Sequence, residues 1–273
     1  MSCNAVSRRG RGRSAAAISA FLLAFFISAP AFAICQVIAD GAFGPARVYK
    51  AAVETGSVRI RYIGHSTFEI ETPGGIRIAT DYNDQIRPAL PPTVATMNGA
   101  HSTHYSLMPD PDIQHLLPGW NPDGTPVDYD LTVGDVRIRN IQTNIRGWDG
   151  GSRRLGNSIF VFEVGDLCIA HLGHLHHQLT EEDLLRLGQI DVVFAAVDNS
   201  TTLRLESLMK VLNDIRPAMV IPMHFHFPGA LQAFAARAAS DGYEISMDTD
   251  SEHVVSRTNL PAQRTVHIML PRS

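Results

Sequence analysis

Alternating apolar and polar residues open the folded part of the sequence. Residues 58–63 (Val-Arg-Ile-Arg-Tyr-Ile) and residues 67–72 alternate in this way, which predicts two half-buried β-strands. A proline and two glycines at residues 73–75 then turn the chain into a third apolar run at residues 76–80. The pattern predicts an antiparallel β-meander at the start of the domain.

A long segment rich in turn-forming residues follows this meander. Proline, aspartate and asparagine are frequent in residues 81–126, and the histidines there lie among turn residues rather than on an apolar face. Strand-like sequence resumes at residues 133–141, and residues 158–164 and 167–172 are predicted to pair as a hairpin. We therefore predict that residues 81–126 form a loop region that carries chemistry.

Strands and helices alternate in the second half of the sequence. Thr180, with Asp183 three residues later, predicts a helix N-terminus, and the fully apolar run 192–197 predicts a buried strand. The remaining predicted elements are a helix from residue 200 or 201 to about 215, a buried strand at 219–223 and a helix near 230–239. A meander followed by βαβ-like units indicates an α+β domain in which helices cover two sheets from the outside.

The N-terminus has the features of a signal peptide. Four arginines between residues 8 and 13 precede an apolar core at residues 15–29, and Ala-Phe-Ala at residues 31–33 supplies a small-x-small cleavage signature. We predict that residues 1–33 are removed and that residues 34–273 form one domain in the periplasm or outside the cell. The alternative is an uncleaved membrane anchor, since the apolar stretch is almost long enough to span a bilayer.

The net charge of the mature chain bears on which kinds of molecule it could bind. Removal of residues 1–33 takes four of the 23 lysine and arginine residues and none of the 27 acidic residues, which leaves a formal charge of −8. An acidic chain is a poor partner for nucleic acid or, after cleavage, for an anionic membrane, so neither is predicted; the partner expected from the chemistry described below is a small-molecule substrate. Cys35 and Cys168 remain after cleavage, and spacing alone does not establish whether they pair.

Histidine is the residue type that points to chemistry. The window 171–177 holds four of the twelve histidines, and His101 and His104 lie three residues apart on a predicted tight loop. His224 follows the predicted buried strand 219–223, at the strand end where α/β architectures place ligands. Imidazole is a common transition-metal ligand, so the set predicts a metal site; the alternative is a group of solvated or hydrogen-bonded loop histidines.

The motifs around these histidines resemble a known family. Residues 62–71 (Tyr-Ile-Gly-His-Ser-Thr-Phe-Glu-Ile-Glu), followed by Ile-Ala-Thr-Asp at residues 78–81, are similar to the opening of metallo-β-lactamase-fold hydrolases. The branch that they resemble most includes L-ascorbate-6-phosphate lactonase-like proteins. The resemblance runs over residues 58–226 and ends on Pro-Met-His at 222–224. It implies a four-layer αββα sandwich and a metal-dependent hydrolase.

The metal motifs of that family are only partly kept. Gly99 and Thr103 stand where the family's HxHxDH motif has its first histidine and its aspartate, and His174 stands where a bridging carboxylate is expected. A carboxylate can bridge two cations, whereas a neutral imidazole donates one lone pair to one metal. We therefore predict a mononuclear site, with zinc favoured and manganese or iron as alternatives. The predicted ligands are His101, His104, His174 and His224.

The number of ligands that bind decides the function of such a site. With three protein ligands and one open position the metal can activate water, whereas four bound ligands make a closed, structural site. Asp198 is the candidate catalytic residue, as a general base, a ligand or an orienting group, and its alternative role is helix capping. His65, Asp81 and His171 are predicted to support the ligands or to line the rim of the site.

The sequence thus predicts an exported hydrolase that acts on an ester, a lactone or a phosphodiester through a metal-activated water. One alternative is a non-catalytic metal-binding or ligand-binding protein that retains the fold. Another is a periplasmic metal-sequestering protein that uses the histidines of residues 171–177. The sequence contains no GxSxG elbow, P-loop or strand-associated GxGxxG, so neither serine-nucleophile chemistry nor a nucleotide cofactor is indicated.

Overall fold

A computed structural model describes residues 53–147 and 149–271 of the chain. The predicted signal peptide, residues 1–33, lies outside these ranges. Within them, no helix combines the length and apolar character needed to cross a bilayer. Cys168 takes part in a disulfide whose partner also lies outside the described residues.

Fourteen strands and three helices occur in the described residues, numbered here in chain order. The strands are β1 Ser57–Gly64, β2 Thr67–Glu71, β3 Arg77–Ala79, β4 Val94–Met97, β5 His115–Pro118, β6 Asp130–Val133, β7 Val136–Arg146, β8 Ser152–Val164, β9 Leu167–His171, β10 Val192–Ala196, β11 Met219–Met223, β12 Glu244–Met247, β13 Glu252–Ser256 and β14 Thr265–Ile268. The helices are α1 Glu181–Leu187, α2 Leu205–Ile215 and α3 Pro228–Ser240.

The smaller sheet has six strands in the order β13-β1-β2-β3-β4-β5. Its β1-β2-β3 meander is antiparallel, as the alternating sequence predicts. β4 and β5 then add to β3 as parallel strands. They lie within the segment 81–126 that was predicted to be loop, and each is only four residues long.

The larger sheet has eight strands in the order β12-β14-β11-β10-β9-β8-β7-β6. The predicted β8-β9 hairpin and the buried strands β10 and β11 are confirmed. The strand predicted at residues 133–141 is confirmed over residues 136–141, which lie in β7, but a turn at Gly134 and Asp135 separates them from Val133, the last residue of β6. The Asp135 carboxylate accepts hydrogen bonds from the Thr72 hydroxyl and the Gly74 amide, and so links this turn to the smaller sheet.

The helix boundaries follow their capping residues. Thr180 and Asp183 form a reciprocal capping box at the start of α1, as predicted. The predicted start of α2 at residue 200 or 201 is wrong, because α2 begins at Leu205. The Asp198 carboxylate accepts hydrogen bonds from residues 200–202 and holds them in a turn, so the helix begins several residues later than predicted.

Two apolar cores confirm the α+β sandwich. Side chains such as Phe68 and Phe194, whose rings stack at 4.3 Å, fill the space between the sheets. The three helices pack on the other face of the larger sheet, where Leu212 and Phe234 are fully buried. Within residues 53–147 and 149–271, no helix covers the outer face of the smaller sheet. Cross-strand ion pairs lie there instead, such as that between Arg61 and Glu69.

The topology brings many strand ends to one edge of the sandwich. β9, β10, β11 and β14 are parallel neighbours, so their carboxyl ends point the same way. In the smaller sheet, Asp81 lies two residues after the end of β3, and the loop that begins at Asn98 follows β4. The side chains that follow these strands are the ones that carry the predicted chemistry.

Candidate metal centre

Four imidazoles meet at this edge of the sandwich. One ring nitrogen from each of His65, His101, His104 and His224 lies within 4.8 Å of the other three. His65 follows β1, His101 and His104 lie on the loop after β4, and His224 follows β11. His104 and His224 are fully buried, whereas His65 and His101 are partly exposed. Two of the four histidines are therefore partly accessible to solvent.

The backbone at three site residues lies in the left-handed region. His65, Asp81 and His224 have φ values of 54°, 43° and 57°. Such a conformation costs on the order of 1 kcal/mol or more and persists only where the surroundings impose it. Here the His224 amide donates to the His65 carbonyl at 2.8 Å, and the Tyr62 hydroxyl donates to the same oxygen at 2.9 Å. These bonds join the ends of β1 and β11 at the site.

The loop after β4 is held by its own backbone and by one buried amide side chain. The His104 amide donates to the His101 carbonyl, and the Asn98 amide donates to the His104 carbonyl. The Asn98 side chain also donates to Asp81 Oδ1 at 2.9 Å and accepts from the Ser158 amide at 2.7 Å. The loop is thus fixed against both sheets, so the two histidine rings have defined positions.

Asp81 determines which nitrogen of His104 is free. The Asp81 Oδ2 atom lies 2.5 Å from His104 Nδ1, and both side chains are fully buried. Burial alone would raise the pKa of Asp81, but the attraction of His104 and His171 and the hydrogen bonds from His104 and Asn98 lower it to about 2. The ionised carboxylate engages Nδ1 of His104, so Nε2 is the nitrogen of that ring that faces the site.

The donor atoms of the group fit a transition-metal cation. His104 Nε2 faces His224 Nε2 at 3.2 Å, while His65 Nε2 and His224 Nδ1 are buried without hydrogen-bond partners. Burial, followed by repulsion from the neighbouring rings, lowers the pKa of His65 to about 3 and that of His101 to about 4, and places the pKa of His224 well below its usual value. Neutral rings with unpaired buried nitrogens are what an imidazole-bound metal requires.

His174 lies beside this group but is not one of its four donors. Its ring centroid is 5.1 Å from that of His101, 5.0 Å from that of His104 and 5.1 Å from that of His224. Neither of its ring nitrogens has a hydrogen-bond partner, although both are buried. Burial and the repulsion of His104 and His101 lower its pKa to about 3. The imidazole is neutral and lines the site, so its predicted role as a ligand stays a prediction.

The other histidines of residues 171–177 point to separate places. His171 Nε2 lies 2.9 Å from the Ser66 carbonyl and 4.0 Å from the Asp81 carboxylate, behind the ligand group. His176 contacts the hydroxyl of Ser152, and the His177 ring accepts a hydrogen bond from the backbone of β7. Within the described residues this window forms no metal-binding group of its own, which disfavours a metal-sequestering role for it.

The Asp198 carboxylate is engaged by the loop that follows it. It accepts hydrogen bonds from Ser200, Thr201 and Thr202, and its side chain is only 3% exposed. Burial would raise its pKa, but these hydrogen bonds lower it. Its Oδ1 atom lies 3.9 Å from His224 Nδ1, so the carboxylate is close enough to influence the orientation of that ring. The catalytic role predicted for Asp198 stays a prediction.

The position of the missing first histidine is filled by another side chain. A Cβ atom at Gly99 would lie 2.7–2.8 Å from the ring of Trp120, which is closer than real contacts permit. At the position of the family's aspartate, the Thr103 hydroxyl lies 2.9 Å from His101 Nδ1. The glycine at residue 99 leaves room for the Trp120 ring. The threonine at residue 103 forms a hydrogen bond with His101, a candidate ligand.

Comparison with known proteins identifies the family. The model of the β-lactamase superfamily domain matches residues 59–224, which is more than half of the 273-residue chain. The chain belongs to this superfamily, and its fold is the metallo-β-lactamase fold. No curated protein matches it by sequence. The narrower resemblance to L-ascorbate-6-phosphate lactonase-like proteins is not confirmed by these matches.

Several solved structures share the fold. A candidate zinc-dependent hydrolase of the metallo-β-lactamase superfamily from Thermotoga maritima has 25% identity and a TM-score of 0.56, with 79% of this chain and 100% of that chain covered. The metallo hydrolase Igni18 from Ignicoccus hospitalis has 17% identity and a TM-score of 0.52, with 80% and 97% covered. CmlA, a diiron β-hydroxylase from Streptomyces venezuelae, has 8% identity and a TM-score of 0.51, with 75% and 55% covered. Proteins with this fold are thus described with different metals, zinc in one case and iron in another.

Proposed function

We propose that the protein is an exported metal-dependent hydrolase that cleaves an ester, a lactone or a phosphodiester at a mononuclear, histidine-rich site. The observation that carries the proposal is the convergence of four imidazole donors, from His65, His101, His104 and His224, within 4.8 Å of one another. The candidate zinc-dependent hydrolase from Thermotoga maritima supports the reaction class.

Each side chain at the site would have a separate role in hydrolysis. A bound divalent cation would supply a Lewis acid that lowers the pKa of water and polarises a carbonyl or phosphoryl oxygen. His101, His104 and His224 would hold it, and Asp81 would fix His104 in the required tautomer. His174, whose ring nitrogens have no hydrogen-bond partner, would bind the metal, as the sequence predicts, or contact the substrate. The exposed side chains of Leu107, Met108 and Phe227, which follow His104 or His224 by three or four residues in the sequence, would contact an apolar part of the substrate.

A mononuclear rather than a dinuclear site is supported by the donors themselves. The four-donor group contains no carboxylate that could bridge two cations. Asp81 and Asp198 are both engaged in hydrogen bonds, and Trp120 fills the space that a first HxH ligand at residue 99 would need. An imidazole-rich set favours zinc, with manganese or iron as alternatives.

The experiment that tests this function compares metal content with activity. The purified chain, His104→Ala, His224→Ala and the control His115→Ala, which lies on β5 outside the site, are analysed for metals and assayed with esters, lactones and phosphodiesters. We expect both site variants to bind about one metal ion per chain less than wild type and to lose activity, while His115→Ala retains both. Equal metal content in all four proteins would refute the site.

The same experiment separates an enzyme from a binding protein. The carboxylates of Asp81 and Asp198 are both already engaged in hydrogen bonds, which favours the alternative of a non-catalytic protein that retains the fold. A site-dependent metal without hydrolysis of any of the three substrate classes would support that alternative. Hydrolysis that is lost together with the metal would exclude it.

A second comparison identifies the fourth ligand. His65 supplies one of the four grouped donors, whereas His174 lies beside them. We therefore expect His65→Ala to weaken metal binding roughly tenfold or more, and His174→Ala to weaken it less. The reverse order, measured by competition with a chelating dye, would establish His174 as the ligand that the sequence predicts.

Export is supported by the N-terminal sequence and by the disulfide at Cys168, since disulfides persist mainly in oxidising compartments. We expect the protein isolated from cells to begin near Ile34, as determined by N-terminal sequencing, and to be found in the periplasm or medium. A chain that retains Met1 in the cytoplasmic fraction would contradict this proposal without affecting that of the metal site.

A further inference from the structure

A second group of metal-binding side chains lies at the junction of the two sheets. Asp248 follows β12 and His267 lies on β14, both in the larger sheet, whereas His253 lies on β13, the edge strand of the smaller sheet. One ligand atom from each of the three lies within 4.8 Å of the others. None of the three belongs to the four-histidine site, so their convergence needs an explanation of its own.

The contacts in this group centre on one carboxylate oxygen. Asp248 Oδ2 lies 3.0 Å from His253 Nδ1 and 3.0 Å from His267 Nε2. The two ring centroids are 4.0 Å apart. Two ligands of a tetrahedral zinc ion, each at about 2.0–2.1 Å, are separated by roughly 3.3 Å. Both distances from Asp248 Oδ2 to an imidazole nitrogen are therefore within a few tenths of an ångström of that separation, and the three donor atoms all lie within 4.8 Å of one another.

The surroundings of His267 support a ligand role for its Nε2 atom. Ser246 Oγ lies 2.7 Å from His267 Nδ1 and can accept the proton of that nitrogen. The lone pair of Nε2 is then directed toward Asp248, as in metal sites where the second ring nitrogen donates to a neighbouring oxygen. The Asp248 amide donates to the Ile268 carbonyl at 2.9 Å, which fixes the carboxylate beside β14.

Exposure differs across the group in a way that suits an accessible cation site. His267 is 4% exposed, whereas the side chains of His253 and Asp248 are 24% and 35% exposed. Two imidazoles and one carboxylate form a donor set that suits divalent first-row metals, and water can complete the coordination from the open side. The site would also connect an edge strand of one sheet to the end of the other sheet.

We propose that Asp248, His253 and His267 form a second metal site, which binds a divalent transition-metal cation such as zinc and links the edges of the two sheets. The competing explanation is a hydrogen-bonded triad in which each ring donates a proton to Asp248 Oδ2. The two explanations differ in zinc stoichiometry and in the response of the protein to zinc.

The test uses the whole chain, stripped of metal with a chelator and titrated with zinc. Wild type, His253→Ala, Asp248→Asn and the control His115→Ala are compared by elemental analysis after removal of free zinc. We expect wild type and His115→Ala to retain one zinc ion per chain more than His253→Ala, with Asp248→Asn weakened about tenfold or more at this site. Equal zinc content in wild type and His253→Ala would overturn the proposal and favour the triad.

A second measurement separates this site from the four-histidine centre. In the variant His104→Ala/His224→Ala, zinc should still raise the melting temperature, and the added change His253→Ala should abolish that rise. No zinc response in the variant that retains Asp248, His253 and His267 would count against the second site even if the first binds zinc. Because His253 is partly exposed, we expect His253→Ala to fold, so the stoichiometric comparison stands if the double variant does not.

Discussion

The Nε2 atoms of His104 and His224 face each other at 3.2 Å, although 120 residues separate the two in sequence. Asp81 accepts the Nδ1 proton of His104, so Nε2 is the nitrogen of that ring that faces His224. The contact needs a shared proton or a shared cation to be favourable. Since ligands of a tetrahedral zinc ion are separated by roughly 3.3 Å, the observed spacing suits a common cation.

This relationship predicts that metal stabilises the folded chain. At a metal concentration about 100 times the Kd, binding to the native state alone adds about 2.7 kcal/mol. For a domain of this size that corresponds to a rise in melting temperature of about 5–10 °C. Chelator-treated protein should show this rise in a thermal melt with zinc, and His253→Ala, which retains the four-histidine centre, should show most of it. An unchanged melting temperature with zinc, manganese and iron would contradict a metal at this centre.

Asp81 provides a test of the tautomer argument. Asp81→Asn preserves the size of the side chain but removes the negative charge that holds the Nδ1 proton of His104. Loss of such a partner typically weakens metal binding about 10–100-fold. Competition with a chelating dye should reveal this change. Asp84→Asn is the matched control, since Asp84 lies on the same loop and contacts Ser106 instead.

The folding contribution of Asp81 must be measured separately. We expect the metal-free Asp81→Asn protein to unfold at a lower denaturant concentration than wild type, since it loses a buried charge-assisted hydrogen bond. If the metal affinity of the folded variant equals that of wild type, Asp81 has a structural role only, and the tautomer argument fails.

We predict that Asp198 orients the His224 ring and the turn before α2 rather than accepting a proton in the reaction. Its carboxylate already accepts hydrogen bonds from residues 200–202 and lies 3.9 Å from His224 Nδ1. We expect Asp198→Asn to lower the free energy of unfolding by about 1–2 kcal/mol, since the ordered turn before α2 loses charge-assisted bonds. Chemical denaturation measures this change.

The pH profile of the reaction then separates the two roles of Asp198. A positioning residue should leave the acidic limb of the kcat profile in place when asparagine replaces it. Loss of that limb, together with a fall in kcat of about 100-fold or more at unchanged metal content, would establish Asp198 as a general base, which is one of the three roles that the sequence leaves open.

The sequence predicts those parts of the fold that depend on local patterns. The β1-β2-β3 meander follows from alternating residues, and α1 follows from Thr180 and Asp183. β4 and β5 are missed because each is only four residues long and lies in a proline-rich segment, where pairing with a neighbouring strand rather than local preference decides the structure. The start of α2 is missed because Asp198 competes for the backbone that would otherwise begin the helix.

Candidate site residues are predictable where a motif names them. His101, His104 and His224 follow from spacing and from the end of a buried strand, and the structure brings all three together. The sequence places His65 at the rim, because its inclusion among the donors depends on a left-handed backbone turn and on a bond to the amide of His224. Asp248, His253 and His267 give no spacing signal, since they come from three separate elements that meet only in the tertiary structure.

Gly99 and Trp120 provide a direct test of the mononuclear site. A histidine at residue 99 would restore the family's first ligand, but its Cβ would lie 2.7–2.8 Å from the Trp120 ring. We expect Gly99→His alone to destabilise the chain by about 1–3 kcal/mol, as overpacking does, and to bind no additional metal. In the background of Trp120→Ala the steric conflict is removed, so Gly99→His should cost less stability there than in the wild-type chain.

Metal stoichiometry in these variants decides whether Trp120 is the obstacle to a second ion. With the ring removed, the introduced histidine would stand two residues before His101, and the double variant should bind up to one metal ion per chain more than Trp120→Ala, which serves as its control. Elemental analysis and denaturant unfolding of the three variants give both quantities. If Gly99→His alone gains an ion at wild-type stability, the Trp120 ring can move aside without cost. The lack of a histidine at residue 99 is then the only feature that limits the site to one metal.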